Sequence, residues 1–136
     1  MQAGSVLETV LYAEDLDAAE RFYGEVLGLD CLHRHATRQV FFRCGQGMVL
    51  IFNPAETASP PLDPALPVPP HGAHGAGHLC FRATRAEQAA WRDHLQGHGI
   101  EIEAEMEWPQ GGHSLYFRDP AGNSLEFAEP QIWRLG

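Results

Sequence analysis

Glu8, His78 and Glu126 lie inside three short apolar segments, LETVLYA, GHLCFRA and SLEFAEP. Carboxylates and imidazoles are metal-ligand types, and charge placed in a half-buried strand needs compensation that a bound cation supplies. Read separately, each has an ordinary structural role: an exposed strand residue, a hydrogen-bonded core histidine, half of a salt bridge. Together, at matching inner-strand positions of a repeated plan, they point to one metal site between two modules. His113 follows Gly111-Gly112 at the start of a strand and serves as a proton shuttle if its side chain enters the same pocket. Arg38 and Arg43 are candidates to clasp a carboxylate or phosphate in two-point geometry, and Arg82 and Arg118 have the same chemistry available. Trp108, in the loop WPQGG, is a candidate aromatic wall of a substrate pocket.

The repeated plan shows when VLETVLYAEDLDAAERFYGEVLGLD, from Val6, is set beside AGHLCFRATRAEQAAWRDHLQGHGIEI, from Ala76. Each reads as an apolar run, a turn, a helical stretch and a glycine before another apolar segment, which indicates a two-fold duplication. In the first copy Asp15 caps a helix with Leu16, Ala19, Phe22, Tyr23, Val26 and Leu27 on its apolar face, and Gly28 ends it. Strands follow at Leu29 to Ala36, Gln39 to Cys44 and Met48 to Asn53. The second copy places strands near His78 to Ala83, Ile100 to Glu107, His113 to Arg118 and Ser124 to Ala128, with a helix from Arg85 to His98. The turn Asp119-Pro120-Ala121-Gly122-Asn123 joins the last two strands. The fold class is therefore α+β, two βαβββ modules with mixed strand pairing.

Between the modules, the proline-rich stretch from Pro54 to Gly75 is expected to form no helix and to act as a linker that also has the length to cover a pocket. The domain plan is a single domain over 1–136: module one at about 5–54, linker at about 55–75, module two at about 76–130 and a tail at 131–136. His71 and His74 read as loop residues, and His94 and His98 as a solvated i, i+4 pair.

The 136 residues are 44% hydrophobic, enough for one proper core. Eighteen acidic against nine basic side chains give a formal charge of −9, which repels a phosphate backbone and argues against nucleic acid. No window suggests a membrane span, MQAGSVLETV lacks the features of a secretory signal, and a cytoplasmic location is expected. Cys31, Cys44 and Cys80 form no CxxC pair and read as buried reduced thiols.

Three segments, LYAEDLDAAERFYGEVLGL, GHLCFRAT and YFRDPAGNSLEFAEP, resemble the recurrent signatures of the vicinal-oxygen-chelate superfamily, which includes glyoxalase I, extradiol dioxygenases, fosfomycin-resistance enzymes and bleomycin-binding proteins. The resemblance runs from Val6 to Pro130. It implies paired modules whose curved sheets form a cup, with metal ligands on the first and last strands. Carried over by motif, Glu8, His78 and Glu126 take three ligand positions; the fourth falls at Val49 or Leu50, neither of which binds a metal. The ion implied is zinc, nickel, cobalt, manganese or iron, with positions left for water and a chelating small-molecule substrate. A lyase, isomerase or epimerase is implied, with Glu8 or Glu126 as general base and an enolate-like intermediate stabilised by Lewis-acid polarisation. The alternatives are a dioxygenase and a metal-free binding protein of the bleomycin-resistance kind. The resemblance also implies a homodimer, with Ile132, Trp133 and Leu135 of the tail packing on a neighbour.

Elemental analysis of protein purified without chelators or an affinity tag is expected to find about one divalent metal per chain. Each of Glu8→Ala, His78→Ala and Glu126→Ala is expected to lose it; protein that stays metal-free after reconstitution would contradict the metal site.

Overall fold

A computed structural model describes residues 1–136, which divide into two compact units, Met1–Gly75 and Ala76–Gly136. The first contains β1 (Glu8–Tyr12), α1 (Leu16–Arg21), β2 (Asp30–His35), β3 (Gln39–Cys44), β4 (Gly47–Phe52) and α2 (Pro54–Thr57). The second contains β5 (His78–Arg82), α3 (Arg85–Gly97), β6 (Ala104–Glu107), β7 (His113–Arg118) and β8 (Ser124–Ala128). Strand order is β1-β4-β3-β2 in one sheet and β5-β8-β7-β6 in the other. In both sheets the first and last strands of the unit run parallel and the remaining pairs antiparallel. The expected βαβββ order thus holds in each unit, and the class is α+β.

Alternation along the strands gives each sheet two unlike faces. In the first unit Leu11, Val40, Phe42, Val49 and Ile51 are buried, and Tyr23 from the helical segment meets Phe42 with ring centroids 5.7 Å apart. In the second, Leu115, Phe117, Leu125 and Phe127 form the corresponding layer, and Trp91 of α3 stacks on Phe127 at 4.6 Å. Helix entry follows from local chemistry. The Asp15 carboxylate accepts from the Ala18 amide at 3.0 Å. At α3 the Thr84 amide donates to Glu87 at 2.7 Å while the Glu87 amide donates to the Thr84 hydroxyl at 3.2 Å, a reciprocal capping box. After Arg21 the helix widens to a π-turn over Phe22–Val26 before Gly28 ends it at φ +70°.

Beyond one-residue shifts at β4, β5 and the end of α3, four features differ from the sequence reading. The linker begins with a helical turn, Pro54–Thr57, where no helix was expected: Pro54 occupies the first helical position and the Asn53 side chain caps it by accepting from the Ala55 amide at 3.1 Å. The strand expected from Ile100 starts at Ala104, leaving Glu103 tied to Tyr116 by one backbone bond of 2.8 Å. The stretch 29–36 pairs only over Asp30–His35, and Ala36 turns at φ 44°. In the tail, Pro130–Trp133 forms a 3-10 turn that buries Ile132 within its own unit, so this residue is not free to pack on a neighbour as expected; Trp133 and Leu135 are exposed.

Ile132 sits over the β6–β7 turn, where a Cβ on Gly112 would lie 2.6 Å from its Cγ2. Gly112 has φ +96° and Gly111 φ +103°, yet a Cβ on Gly111 would meet nothing within 4 Å. Gly111→Ala is therefore expected to cost only backbone strain, about 1–3 kcal/mol. Gly112→Ala adds a clash and is expected to cost clearly more; urea unfolding of the two variants checks the order.

Candidate functional site

The face of the second sheet that points away from α3 carries its chemistry. Register puts Cys80 and Tyr116 beside Glu126 on the flanking strands, and His78 one step along β5. Glu126 is buried, at 5% exposure, whereas the His78 side chain is 49% exposed.

His78 Nε2 lies 3.2 Å from Glu126 Oε1. The other ring nitrogen, Nδ1, is 3.0 Å from the Ser124 carbonyl oxygen. A carbonyl can only accept, so Nδ1 carries a proton, and Nε2 faces the Glu126 oxygen as a donor when the ring is doubly protonated or as a lone pair open to a cation. Two lone pairs at that separation repel unless a proton or a cation lies between them. Donors about 2.0–2.2 Å from a common ion sit roughly 2.8–3.6 Å apart, and the observed spacing falls within that range. This pair therefore fits the divalent ion implied by the resemblance.

Protonated groups surround Glu126. Ser114 Oγ donates to its Oε2 at 2.5 Å, and Trp108 Nε1 donates to Ser114 Oγ at 2.8 Å. Burial and then the Glu126 charge push the Tyr116 phenol above its usual range. The Cys80 thiol is pushed up to about 12, first by lost hydration and then by the same carboxylate, although the residue as a whole is exposed. Both therefore remain protonated near neutral pH. His78 is the only salt-bridge partner of Glu126.

Glu8 is exposed on β1, on the equivalent face of the first sheet, in a row with Met48 and Arg43. The parallel register β1–β4 pairs Val10 with Leu50 as β5–β8 pairs Cys80 with Glu126. Leu50, not Val49, is thus the counterpart of Glu126. Within neither unit do three or more His, Cys, Asp or Glu side chains gather into a group able to hold a metal ion. The structure brings His78 and Glu126 together, and Glu8 belongs to the other unit.

The remaining sequence candidates occupy other places. His113 faces the α3 side of its sheet, not the face of Glu126: it is buried, with Nδ1 2.7 Å from Gln88 Oε1 and Nε2 3.3 Å from Glu105 Oε1. The condition for its proton-shuttle role, a side chain on the Glu126 face, is not met. Residue parity explains this, since His113 is in phase with buried Leu115 and Phe117. Arg38 donates to the Glu56 carbonyl at 2.8 Å and fastens α2. Arg43 is exposed on the Glu8 face. Trp108 is on the right face, but its indole N–H is used on Ser114. His71, from the linker, returns to the Glu8 face of the first sheet: Tyr12 Oη is 2.7 Å from its Nδ1, and its ring meets Phe52 edge-on at 4.6 Å. Sequence reading missed Ser114 and took Cys80 only as a reduced thiol; period-two alternation from Glu126 and His78 across paired strands was the signal that could have placed both around Glu126.

A family model described as Glyoxalase/Bleomycin resistance protein/Dioxygenase superfamily matches residues 5–127. The crystal structure of lactoylglutathione lyase from Agrobacterium tumefaciens is 43% identical, covers 99% of this chain and 100% of its own, and superposes with a TM-score of 0.91. An integron cassette protein from the Halifax Harbour sewage outfall metagenome shares the fold at 21% identity, 93% and 99% coverage and TM-score 0.73. A glyoxalase/bleomycin resistance protein/dioxygenase from Nocardioides does so at 17% identity, 95% and 85% coverage and TM-score 0.72. With a family model spanning nearly its whole length and a lyase of the same fold 43% identical to it, the chain belongs to the Glyoxalase/Bleomycin resistance protein/Dioxygenase superfamily.

Proposed function

We propose that the protein is a metal-dependent lyase acting on a small thioester or hemithioacetal substrate of the lactoylglutathione kind. The observation that carries this reading is His78 Nε2 set 3.2 Å from Glu126 Oε1, two metal-ligand types side by side in a sheet face with no arginine or lysine partner for the carboxylate. Identity of 43% over the full length to a lactoylglutathione lyase supports the choice of reaction.

In this reading His78, Glu126 and Glu8 hold the ion, with zinc, nickel, cobalt, manganese and iron all compatible with the donor types. Bound there, it would polarise a substrate oxygen and lower the cost of charge developing on it. Ser124 fixes the tautomer of His78 so that Nε2 stays available. Glu126 has the chemistry of a general base: with Oε1 turned off the ion, that oxygen would take a proton from the substrate carbon next to the carbonyl and return it to the adjacent carbon. Low exposure of Glu126 keeps bulk water from competing for that proton. Two copies pair in solution, with exposed Trp133 and Leu135 available for the contact.

Purified protein loaded with each candidate metal and supplied with glutathione and methylglyoxal is expected to form the thioester product, followed by its ultraviolet absorbance. Glu126→Gln preserves shape but removes the base, and is expected to lower kcat by about 10²–10⁴-fold. A wild-type protein inactive with every metal would overturn the lyase reading. Light scattering is expected to give a dimeric mass, and a monomeric mass would count against pairing.

A further inference from the structure

We infer that Ser114, held in place by Trp108, is the positioning residue that makes Glu126 a one-oxygen ligand, with Oε2 turned into the protein and Oε1 left for the cation. The inference rests on the cation reading of His78 and Glu126.

Direction in the hydrogen-bond chain is set by chemistry. An indole N–H can only donate, so at 2.8 Å the Ser114 oxygen accepts from Trp108. The Ser114 proton is thereby left for Glu126 Oε2, 2.5 Å away, a distance typical of a charge-assisted O–H···O⁻ bond. Ser114 is fully buried at 0% exposure and Glu126 nearly so at 5%, so water cannot readily replace either partner. A carboxylate with one oxygen committed inward presents a single oxygen outward, which leaves one more coordination position for a substrate than two-oxygen binding would.

The indole is itself anchored. The Trp108 amide donates to the Gly112 carbonyl at 2.9 Å and the Gly111 amide to the Trp108 carbonyl at 2.9 Å, closing the β6–β7 turn. Left-handed φ at both glycines allows that closure. The turn, the indole, the hydroxyl and the carboxylate form one rigid series ending at Oε1.

Cobalt(II) titration of the metal-free protein by calorimetry tests this, with melting temperatures of the metal-free variants as the control for folding. Ser114→Ala is expected to weaken binding about 10–100-fold and to change the cobalt visible spectrum, which reports the ligand field. Ser114→Thr keeps the hydroxyl and is expected to restore most of the affinity and the wild-type spectrum. Trp108→Phe keeps the ring but loses the N–H, and is expected to weaken binding by a smaller factor. Wild-type affinity and spectrum in Ser114→Ala would overturn the positioning role while leaving the cation site standing. Absence of cobalt binding by the wild type would overturn the cation reading and this inference with it. Should Ser114→Ala fail to fold, Trp108→Phe decides: an unchanged affinity and spectrum overturns the role.

Discussion

A buried carboxylate whose one ion-pair partner is a histidine governs the second unit. Glu126 is 5% exposed, and its charge is met by hydroxyl and thiol groups and by an imidazole nitrogen 3.2 Å away. Hydrogen bonds distribute that charge but do not cancel it. Much of the local structure holds these groups in place. Ser124 sets the His78 tautomer, Trp108 turns the Ser114 hydroxyl, and the glycine turn that seats Trp108 also accommodates Ile132 from the tail. Function and folding are therefore coupled there through a few short contacts.

The duplicated scaffold shows how one plan carries two chemistries. Glu8 is the equivalent of His78, Val10 of Cys80, Leu50 of Glu126 and Phe41 of Tyr116. The first unit keeps the backbone register but has apolar side chains at three of these four positions, with Glu8 the ligand type at the fourth. Its face is further shaped by His71, which the linker returns against Tyr12 and Phe52. A strand's alternation is indifferent to which side chains fill its rows, so register survives while chemistry diverges.

Much of this was legible in the sequence. Strands β3, β7 and β8 match their expected limits, because the alternating runs are bounded by turn residues such as Gly45 and Asp119-Pro120. His78 and Glu126 were found because ionisable residues stand out in apolar runs. His113 was misplaced because its role depends on which face it occupies, and a strand read alone has no label saying which face meets the helix; the phase with Leu115 and Phe117 settles that only once the helix is in position. The α2 turn was missed because prolines were counted as breakers, although Pro54 after a capping Asn is a helix start. Ser114 carried no signal of its own: a serine in HSLYFR is unremarkable until the register brings it within 2.5 Å of a carboxylate.

Basic side chains are scarce in this chain and mostly engaged away from Glu126. All nine basic residues are arginines, against eighteen acidic ones. Arg85, Arg92 and Arg118 are engaged by Glu107, Glu105 and Glu103, and Arg34 by Asp17 and Glu20. Those guanidiniums hold Glu105 and Glu107 below the usual carboxylate range. Arg38 and Arg82 bond backbone carbonyls of Glu56 and Gly136. Such exposed pairs contribute little stability individually, yet they tie up most of the protein's cations along the strand edges and loops. A guanidinium beside Glu126 would neutralise it permanently and block Oε1. In its place Oε1 faces the half-exposed imidazole of His78, itself a metal-ligand type.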